Sequence, residues 1–139
     1  MRKLLFVCVH NSGRSQVAEA FAKRLGAGVI EAESAGTRPA REINPTVVQA
    51  MFEIGYDLTG QRPKLMALDM MRSADRVITM GCGVAESLEG GACPATFGPT
   101  EDWGIEDPEG KPIEKVREIR DLIKARVEKL IEEMTTGEG

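Results

Sequence analysis

An eight-residue segment near the start of the chain carries the residues best suited to chemistry. It runs from Cys8 to Ser15 and holds a thiol, an arginine and small or polar residues between them. A loop that leads into a helix presents several backbone N–H groups to one point, where the helix dipole adds partial positive charge. An oxyanion with three equatorial oxygens fits such a loop. The residues expected to bind it are Val9, His10, Asn11, Ser12, Gly13 and Arg14.

Three side chains of this segment have predicted roles. Arg14 has a planar fork that can bind two oxygens of the anion at once, which a lysine cannot do. Cys8 is the expected nucleophile, because the same positive field favours the thiolate. Ser15 is placed to donate a hydrogen bond to that thiolate. A small buried cysteine at a strand end is the alternative, but the predicted strand before the segment and the helix after it favour function.

A candidate proton donor lies much later in the chain, at Asp107-Pro108. Expulsion of an oxide or alkoxide from a tetrahedral centre needs a proton, which an aspartate on a loop can supply. Asp107 is the predicted donor, with Pro108 stiffening the backbone after it. A plain Asp-Pro turn is the alternative interpretation. Asp102 and Glu106 compete with Asp107 for the role.

The two remaining cysteines, Cys82 and Cys93, follow a predicted strand. Glycines flank Cys82 on both sides and two more lie between the pair, which permits large backbone changes. Both thiols are expected at the sheet edge that also holds Cys8. Incidental buried thiols are the alternative. A metal site is not expected, because the chain has one histidine, His10, within the anion-binding segment, and no Cys-x2-Cys pair.

Composition and charge limit the class of protein. The 139 residues suit one domain, expected over residues 1–134 with 135–139 as a frayed tail. A net charge of −4 argues against a nucleic-acid partner. No apolar run approaches the ~18 residues of a membrane span, and the apolar stretch at the N-terminus is too short for a signal peptide. We therefore expect a cytoplasmic protein with reduced thiols. A monomer is favoured, but the sequence does not determine the oligomeric state.

Hydrophobic periodicity predicts alternating strands and helices. The predicted strands are Leu4–Val9, Val29–Ala35, Arg76–Met80 and Ala95–Phe97. The predicted helices begin at Ser15, at Asn44-Pro45, at Leu65 and at Ile113, and end near Gly26, Gly55, Arg72 and Met134. This alternation indicates an α/β fold with three layers, a four-stranded parallel sheet with helices on both faces. The ligand site of such a sheet lies at the carboxyl ends of its strands.

Cys8–Ser15 resembles the active-site loop of the low-molecular-weight protein tyrosine phosphatase family, and Val7–Gln16 is closer to the arsenate reductases of that fold. Ser34–Thr37 and Asp102–Pro108 match further family stretches. The resemblance implies the family's fold and a reaction on arsenate or a phosphate-like oxyanion, without a tightly bound cofactor. Family phosphatases usually follow Asp-Pro with aromatic residues, whereas this chain continues Glu109-Gly110-Lys111, which weighs against a phosphotyrosine substrate.

The resemblance further implies a relay of thiols. Cys8 attacks arsenate while Asp107 protonates the departing oxygen. Cys82 then attacks Cys8, which releases arsenite, and Cys93 moves the disulfide outward for reduction by thioredoxin. The spacing between Cys82 and Cys93 exceeds that of the best-known thioredoxin-coupled relatives, so a low-molecular-weight thiol is the alternative reductant. A phosphatase using Cys8, Arg14 and Asp107 is the alternative function, and a non-enzymatic oxyanion or partner sensor is the third.

Some relatives bind a potassium ion behind the loop. The resemblance places the corresponding ligands of this chain at Asn11, Glu19 and Ser34. A further carboxylate is expected near position 64, where this chain has Lys64. We therefore expect the ammonium of Lys64 to replace the ion, with a solvent-facing lysine as the alternative.

Overall fold

A four-stranded parallel sheet forms the centre of the protein in a computed structural model, which describes residues 2–80 and 100–135. The strands are β1 (Arg2–Cys8), β2 (Ile30–Gly36), β3 (Arg76–Thr79) and β4 (Thr100–Asp102). They lie in the order β2-β1-β3-β4, and each neighbouring pair is parallel. The chain winds from β1 to one side and then crosses to the other. The carboxyl end of β1 is therefore the switch point at which α/β sheets bind ligands.

Helices cover both faces of this sheet. They are α1 (Arg14–Leu25), α2 (Pro45–Phe52), α3 (Leu68–Ser73) and α4 (Ile113–Thr135). Side chains alternate between faces along a strand, so Leu4 and Phe6 of β1 pack with α1, α2 and α4 in the larger core. Leu5 and Val7 pack on the opposite face with Met71 of α3. The predicted three-layer α/β fold is confirmed, and Cys8 belongs to the larger core.

The structure confirms the predicted cap of α2 and corrects the predicted start of α3. Asn44 caps α2 as predicted, since its Oδ1 accepts from the backbone N–H of Thr46 at 2.9 Å. The helix predicted to start at Leu65 begins instead at Leu68. Leu65 is extended and bridges to Gly36, and the N–H of Met66 donates to the carbonyl of Gly36 at 2.9 Å. This segment therefore extends the sheet beside β2 before the helix starts.

The fourth strand is the least predictable element from sequence. The predicted strand Ala95–Phe97 lies outside the described residues. The described β4 has the polar sequence Thr-Glu-Asp and pairs with β3 at the edge of the sheet, so it lacks the apolar run typical of a central strand. Within residues 2–80 and 100–135, no helix is long and apolar enough to cross a membrane.

Candidate active site

Hydrogen bonds to a neighbouring segment orient the backbone of the loop between β1 and α1. Its carbonyls accept hydrogen bonds from the segment 37–44 that follows β2, at 2.8 to 3.2 Å. The accepting residues are Cys8, Val9, His10 and Ser12, and the donors are Thr37, Arg38, Ala40 and Asn44. In a trans peptide the carbonyl and the next N–H point in opposite directions. The N–H groups of residues 9, 10, 11 and 13 therefore face away from segment 37–44, as binding of an anion requires.

The thiol of Cys8 lies inside this loop and receives oriented hydrogen bonds. Asn11, at φ 53° in the left-handed region, donates its backbone N–H to Cys8 Sγ at 3.1 Å. Ser15 Oγ lies 2.8 Å from the same sulfur. Asn11 Nδ2 donates to Ser15 Oγ at 2.7 Å, so the Ser15 hydroxyl is available to donate to the sulfur. Two donors are thus directed at a sulfur that is nearly fully buried.

Gln16 fixes the direction of that hydrogen-bond chain, and the sequence analysis did not select it as a functional residue. Its Nε2 donates to Asn11 Oδ1 at 3.0 Å and to the carbonyl of Arg62 at 3.0 Å. The backbone N–H of Lys64 also donates to Asn11 Oδ1, at 2.8 Å. A backbone N–H can only donate, so Oδ1 is the acceptor and Nδ2 of Asn11 faces Ser15. The sequence showed only that Gln16 follows Ser15 at the start of the predicted helix; that it is fully buried is seen in the structure.

Arg14 is held in place by backbone carbonyls from two other parts of the sheet. Its Nη1 donates to the carbonyl of Met80, just after β3, at 3.0 Å and to the carbonyl of Ile105, after β4, at 2.7 Å. Its Nη2 lies 3.9 Å from Asp107 Oδ2. The guanidinium is thus fixed beside the anion loop, with its second nitrogen directed towards the candidate proton donor.

The three candidate acids have different surroundings. Asp107 is half exposed, and within the described residues it accepts the backbone N–H of Glu109 at 3.0 Å besides its contact with Arg14. Asp102 Oδ1 accepts a hydrogen bond from the hydroxyl of Thr79 at 2.6 Å, at the end of the sheet. Among these carboxylates, Asp107 is the one whose described contacts join it to Arg14. This arrangement supports Asp107 as the donor.

Glu106 forms ion pairs with two lysines. Its carboxylate lies 3.2 Å from Lys115 Nζ and 3.4 Å from Lys111 Nζ. The hydrogen bond from Lys115 is the main cause that holds the pKa of Glu106 below its usual value, against the opposing effect of desolvation. A carboxyl group with a lowered pKa is protonated for even less of the time near neutral pH, so it rarely has a proton to donate. Glu106 therefore fits the role of a loop anchor better than that of an acid.

A cleft of about 340 Å³ opens above the anion loop. It is lined by Val9, His10, Arg14, Gly104, Ile105, Glu106 and Asp107. The imidazole of His10 is the one aromatic ring in this described lining, and its Nδ1 lies 3.2 Å from the carbonyl of Arg38. Trp103 instead packs in the core against Phe6, with ring centroids 5.9 Å apart. The described lining of the cleft therefore contains no phenylalanine, tyrosine or tryptophan ring to stack on a phenol.

The residues predicted for a cation site surround the buried carboxylate of Glu19. Ser34 Oγ donates to Glu19 Oε1. Lys23 Nζ lies 2.6 Å from Glu19 Oε2, and Lys64 Nζ lies 3.6 Å from Oε1. Asn11 joins this group through the backbone of Lys64. A buried carboxylate needs compensating positive charge, and two ammonium groups supply it here.

Cys82 and Cys93 lie outside the described residues, and their roles stay predictions. In the described part of the chain, no group of three or more histidine, cysteine, aspartate or glutamate side chains could hold a metal ion.

Comparisons with known proteins place this site in a family context. The family model for low molecular weight phosphotyrosine protein phosphatase matches residues 3–138. A glutaredoxin arsenate reductase of Synechocystis is 42% identical over 132 residues, which cover 94% of this chain and 97% of that protein.

Two solved structures extend the similarity to the fold. One, of an arsenate reductase in the phosphate binding state, is 41% identical with a TM-score of 0.82, covering 97% of this chain and all of that chain. The other, a thioredoxin-dependent arsenate reductase of Corynebacterium glutamicum, is 36% identical with a TM-score of 0.76, covering 95% of this chain and 61% of that chain.

Proposed function

We propose that this chain, which belongs to the low molecular weight phosphotyrosine protein phosphatase family, is an arsenate reductase that converts arsenate to arsenite. The observation that carries the proposal is the Cys8 sulfur, which receives the N–H of Asn11 at 3.1 Å and faces Ser15 Oγ at 2.8 Å within an anion loop. The extensive identity to arsenate reductases favours arsenate over phosphotyrosine, and so does a cleft whose described lining has no phenylalanine, tyrosine or tryptophan ring.

The first step joins arsenic to sulfur. The Cys8 thiolate attacks arsenate, a sulfur–arsenic bond forms, and one arsenic–oxygen bond breaks. Asp107 gives the departing oxygen a proton, so that it leaves as water. Arg14 and the loop N–H groups bind the remaining oxygens and stabilise the charge that develops on them. Arsenic is still pentavalent in this adduct.

The second step reduces arsenic. The Cys82 thiolate attacks the Cys8 sulfur and forms a disulfide, while the electron pair of the sulfur–arsenic bond stays on arsenic, which leaves as arsenite. Two thiols have then lost two electrons and arsenic has gained them. Cys82 follows Met80 by two residues, a span of at most about 7 Å between Cα atoms. Since the Met80 carbonyl binds Arg14, this connectivity supports Cys82 as the attacking thiol.

The last step returns the enzyme to its dithiol form. Cys93 attacks Cys82, which breaks the Cys8–Cys82 disulfide, forms a Cys82–Cys93 disulfide and releases the Cys8 thiolate. Thioredoxin, glutaredoxin or two molecules of a low-molecular-weight thiol then reduce the Cys82–Cys93 disulfide and are themselves oxidised to a disulfide. The similarity to a glutaredoxin arsenate reductase of Synechocystis and to a thioredoxin-dependent arsenate reductase of Corynebacterium glutamicum supports a thiol-based reductant of this kind. The cycle needs no tightly bound cofactor, and it suits the cytoplasm, where thiols are kept reduced.

Arsenate-dependent consumption of NADPH tests the proposal. The chain is assayed with thioredoxin and its reductase, and in parallel with glutaredoxin, glutathione and glutathione reductase. We expect turnover with at least one system and competitive inhibition by phosphate, which shares the shape and charge of arsenate. Hydrolysis of aryl phosphates without arsenate-dependent oxidation of NADPH in either system would establish the alternative, a phosphatase with a phosphocysteine intermediate.

Potassium is expected to have little effect on arsenate turnover, because Lys64 and Lys23 already neutralise Glu19. The measurement compares the rate in potassium chloride with that in choline chloride at equal ionic strength. Lys64→Asp removes one ammonium and adds a carboxylate, so this variant should become potassium-dependent. Strong activation of the unaltered chain by potassium would contradict the assignment of Lys64.

A further inference from the structure

The ring of Pro108 rests on the anion loop where the loop has no side chain. A Cβ built on Gly13 would lie 3.0 Å from Cγ and 3.7 Å from Cδ of Pro108, and 3.7 Å from Cγ2 of Val47. Ordinary carbon–carbon contacts lie at about 3.5–4.0 Å. With a side chain at position 13, the ring would therefore have to shift by a few tenths of an ångström. Pro108 can lie this close because position 13 is glycine.

This contact joins the loop that carries Asp107 to the loop that binds the anion. The two loops also meet at Ile105, whose carbonyl accepts from Arg14 at 2.7 Å. Asp107 lies between these two anchor points and its carboxylate is 3.9 Å from Arg14. The polar anchor precedes Asp107 by two residues, and the apolar anchor follows it directly. The direction of the carboxyl group therefore depends on both anchors.

We propose that Gly13 is a positioning residue for the reaction, because it admits the Pro108 ring and so holds Asp107 at the departing oxygen. The inference rests on the proposed function, in which Asp107 is the proton donor. It adds a role that differs from anion binding. Alanine at position 13 keeps the backbone N–H, so Gly13→Ala should preserve oxyanion affinity while it weakens proton donation.

The dependence of hydrolysis on the leaving group measures proton donation. Phenyl phosphate expels a basic phenolate and needs a proton, whereas p-nitrophenyl phosphate expels a weakly basic one. We expect Gly13→Ala to lower kcat for phenyl phosphate about tenfold and for p-nitrophenyl phosphate less than about threefold, as partial loss of general acid catalysis predicts. The inhibition constant of phosphate should stay within about twofold. Single-turnover loss of thiols on mixing with arsenate should slow in parallel.

A double-mutant cycle distinguishes loss of the contact between Pro108 and Gly13 from a general distortion of the anion loop. Pro108→Ala removes the ring, so that adding Gly13→Ala to it should cost little more activity. Gly60→Ala is the matched control, since a Cβ at Gly60 meets no atom within 4 Å. It should leave both substrates and the thermal unfolding midpoint unchanged.

The outcomes distinguish failure of this inference from failure of the proposed function. If Asp107→Asn leaves the leaving-group dependence unchanged, the assignment of the acid is wrong. If Asp107→Asn changes it but Gly13→Ala does not, the positioning role of Gly13 is wrong. Two further results would overturn the positioning role of Gly13. One is that Gly13→Ala weakens phosphate inhibition as much as it lowers kcat. The other is that the activity losses of Gly13→Ala and Pro108→Ala add fully in the double variant. A chain that catalyses neither reaction overturns the proposed function and this inference with it.

Discussion

Replacing Cys82 by serine is expected to abolish arsenate reduction while hydrolysis of phosphomonoesters survives. Hydrolysis needs Cys8 as nucleophile, Arg14 for the charge on the transferred group, Asp107 as acid and water to complete turnover. Reduction also needs a second thiolate, which attacks the Cys8 sulfur and breaks the sulfur–arsenic bond, so that the electron pair of this bond stays on arsenic. A serine hydroxyl cannot form a disulfide, so the reaction should stop at the arsenic adduct.

Two matched variants define the result. Cys8→Ser should lose both activities, because each begins with attack by the Cys8 thiolate. Cys93→Ser should still consume two thiols in a single turnover with arsenate but should turn over slowly with the external reductant. The measurements are NADPH oxidation, thiol counting after arsenate addition, and release of nitrophenol from its phosphate. Undiminished arsenate reduction by Cys82→Ser would show that another thiol attacks Cys8.

Arg14→Lys is expected to lower kcat/KM for arsenate and for aryl phosphates by about 100-fold or more, the usual cost of losing one group that stabilises a developing oxyanion. One nitrogen of Arg14 already binds the carbonyls of Met80 and Ile105. A single ammonium cannot hold these carbonyls and also bind two oxygens of the anion. The charge is kept in this variant, so the loss reports the geometry of the fork.

Arg126→Lys is the control for Arg14→Lys, because Arg126 is exposed on α4. It should leave kcat/KM for both substrates unchanged. Circular dichroism and thermal unfolding of both variants show whether the fold is retained. If Arg14→Lys keeps a third or more of the wild-type kcat/KM, its fork is not required and the carbonyls of Met80 and Ile105 have only a structural role.

Local patterns in the sequence were sufficient to predict most of the fold and the centre of the candidate site. The apolar run of β1, the change to helical spacing after Ser15 and the Asn44 cap each depend on neighbours within a few residues. The anion loop is equally local, since its nucleophile, N–H groups and arginine lie within eight residues. Such features are readable because periodicity and turn chemistry act over short stretches of chain.

Tertiary packing decided what surrounds that centre. Gln16 orients Asn11 only because the segment at Arg62 and Lys64 packs beside α1. Lys64 meets Glu19 across 45 positions of sequence, and no periodicity links them.

In the loop that carries the candidate acid, the sequence likewise indicated the residue, whereas the tertiary structure determined its surroundings. An Asp-Pro pair suggested a proton donor, but each of its two anchoring contacts, Ile105 with Arg14 and Pro108 with Gly13, joins residues more than ninety positions apart in sequence. The roles of Cys8 and Arg14 could thus be predicted from one short segment of the sequence. The geometry that makes them useful arises when distant backbone groups pack at the carboxyl edge of one sheet, and those contacts exist only in the folded chain.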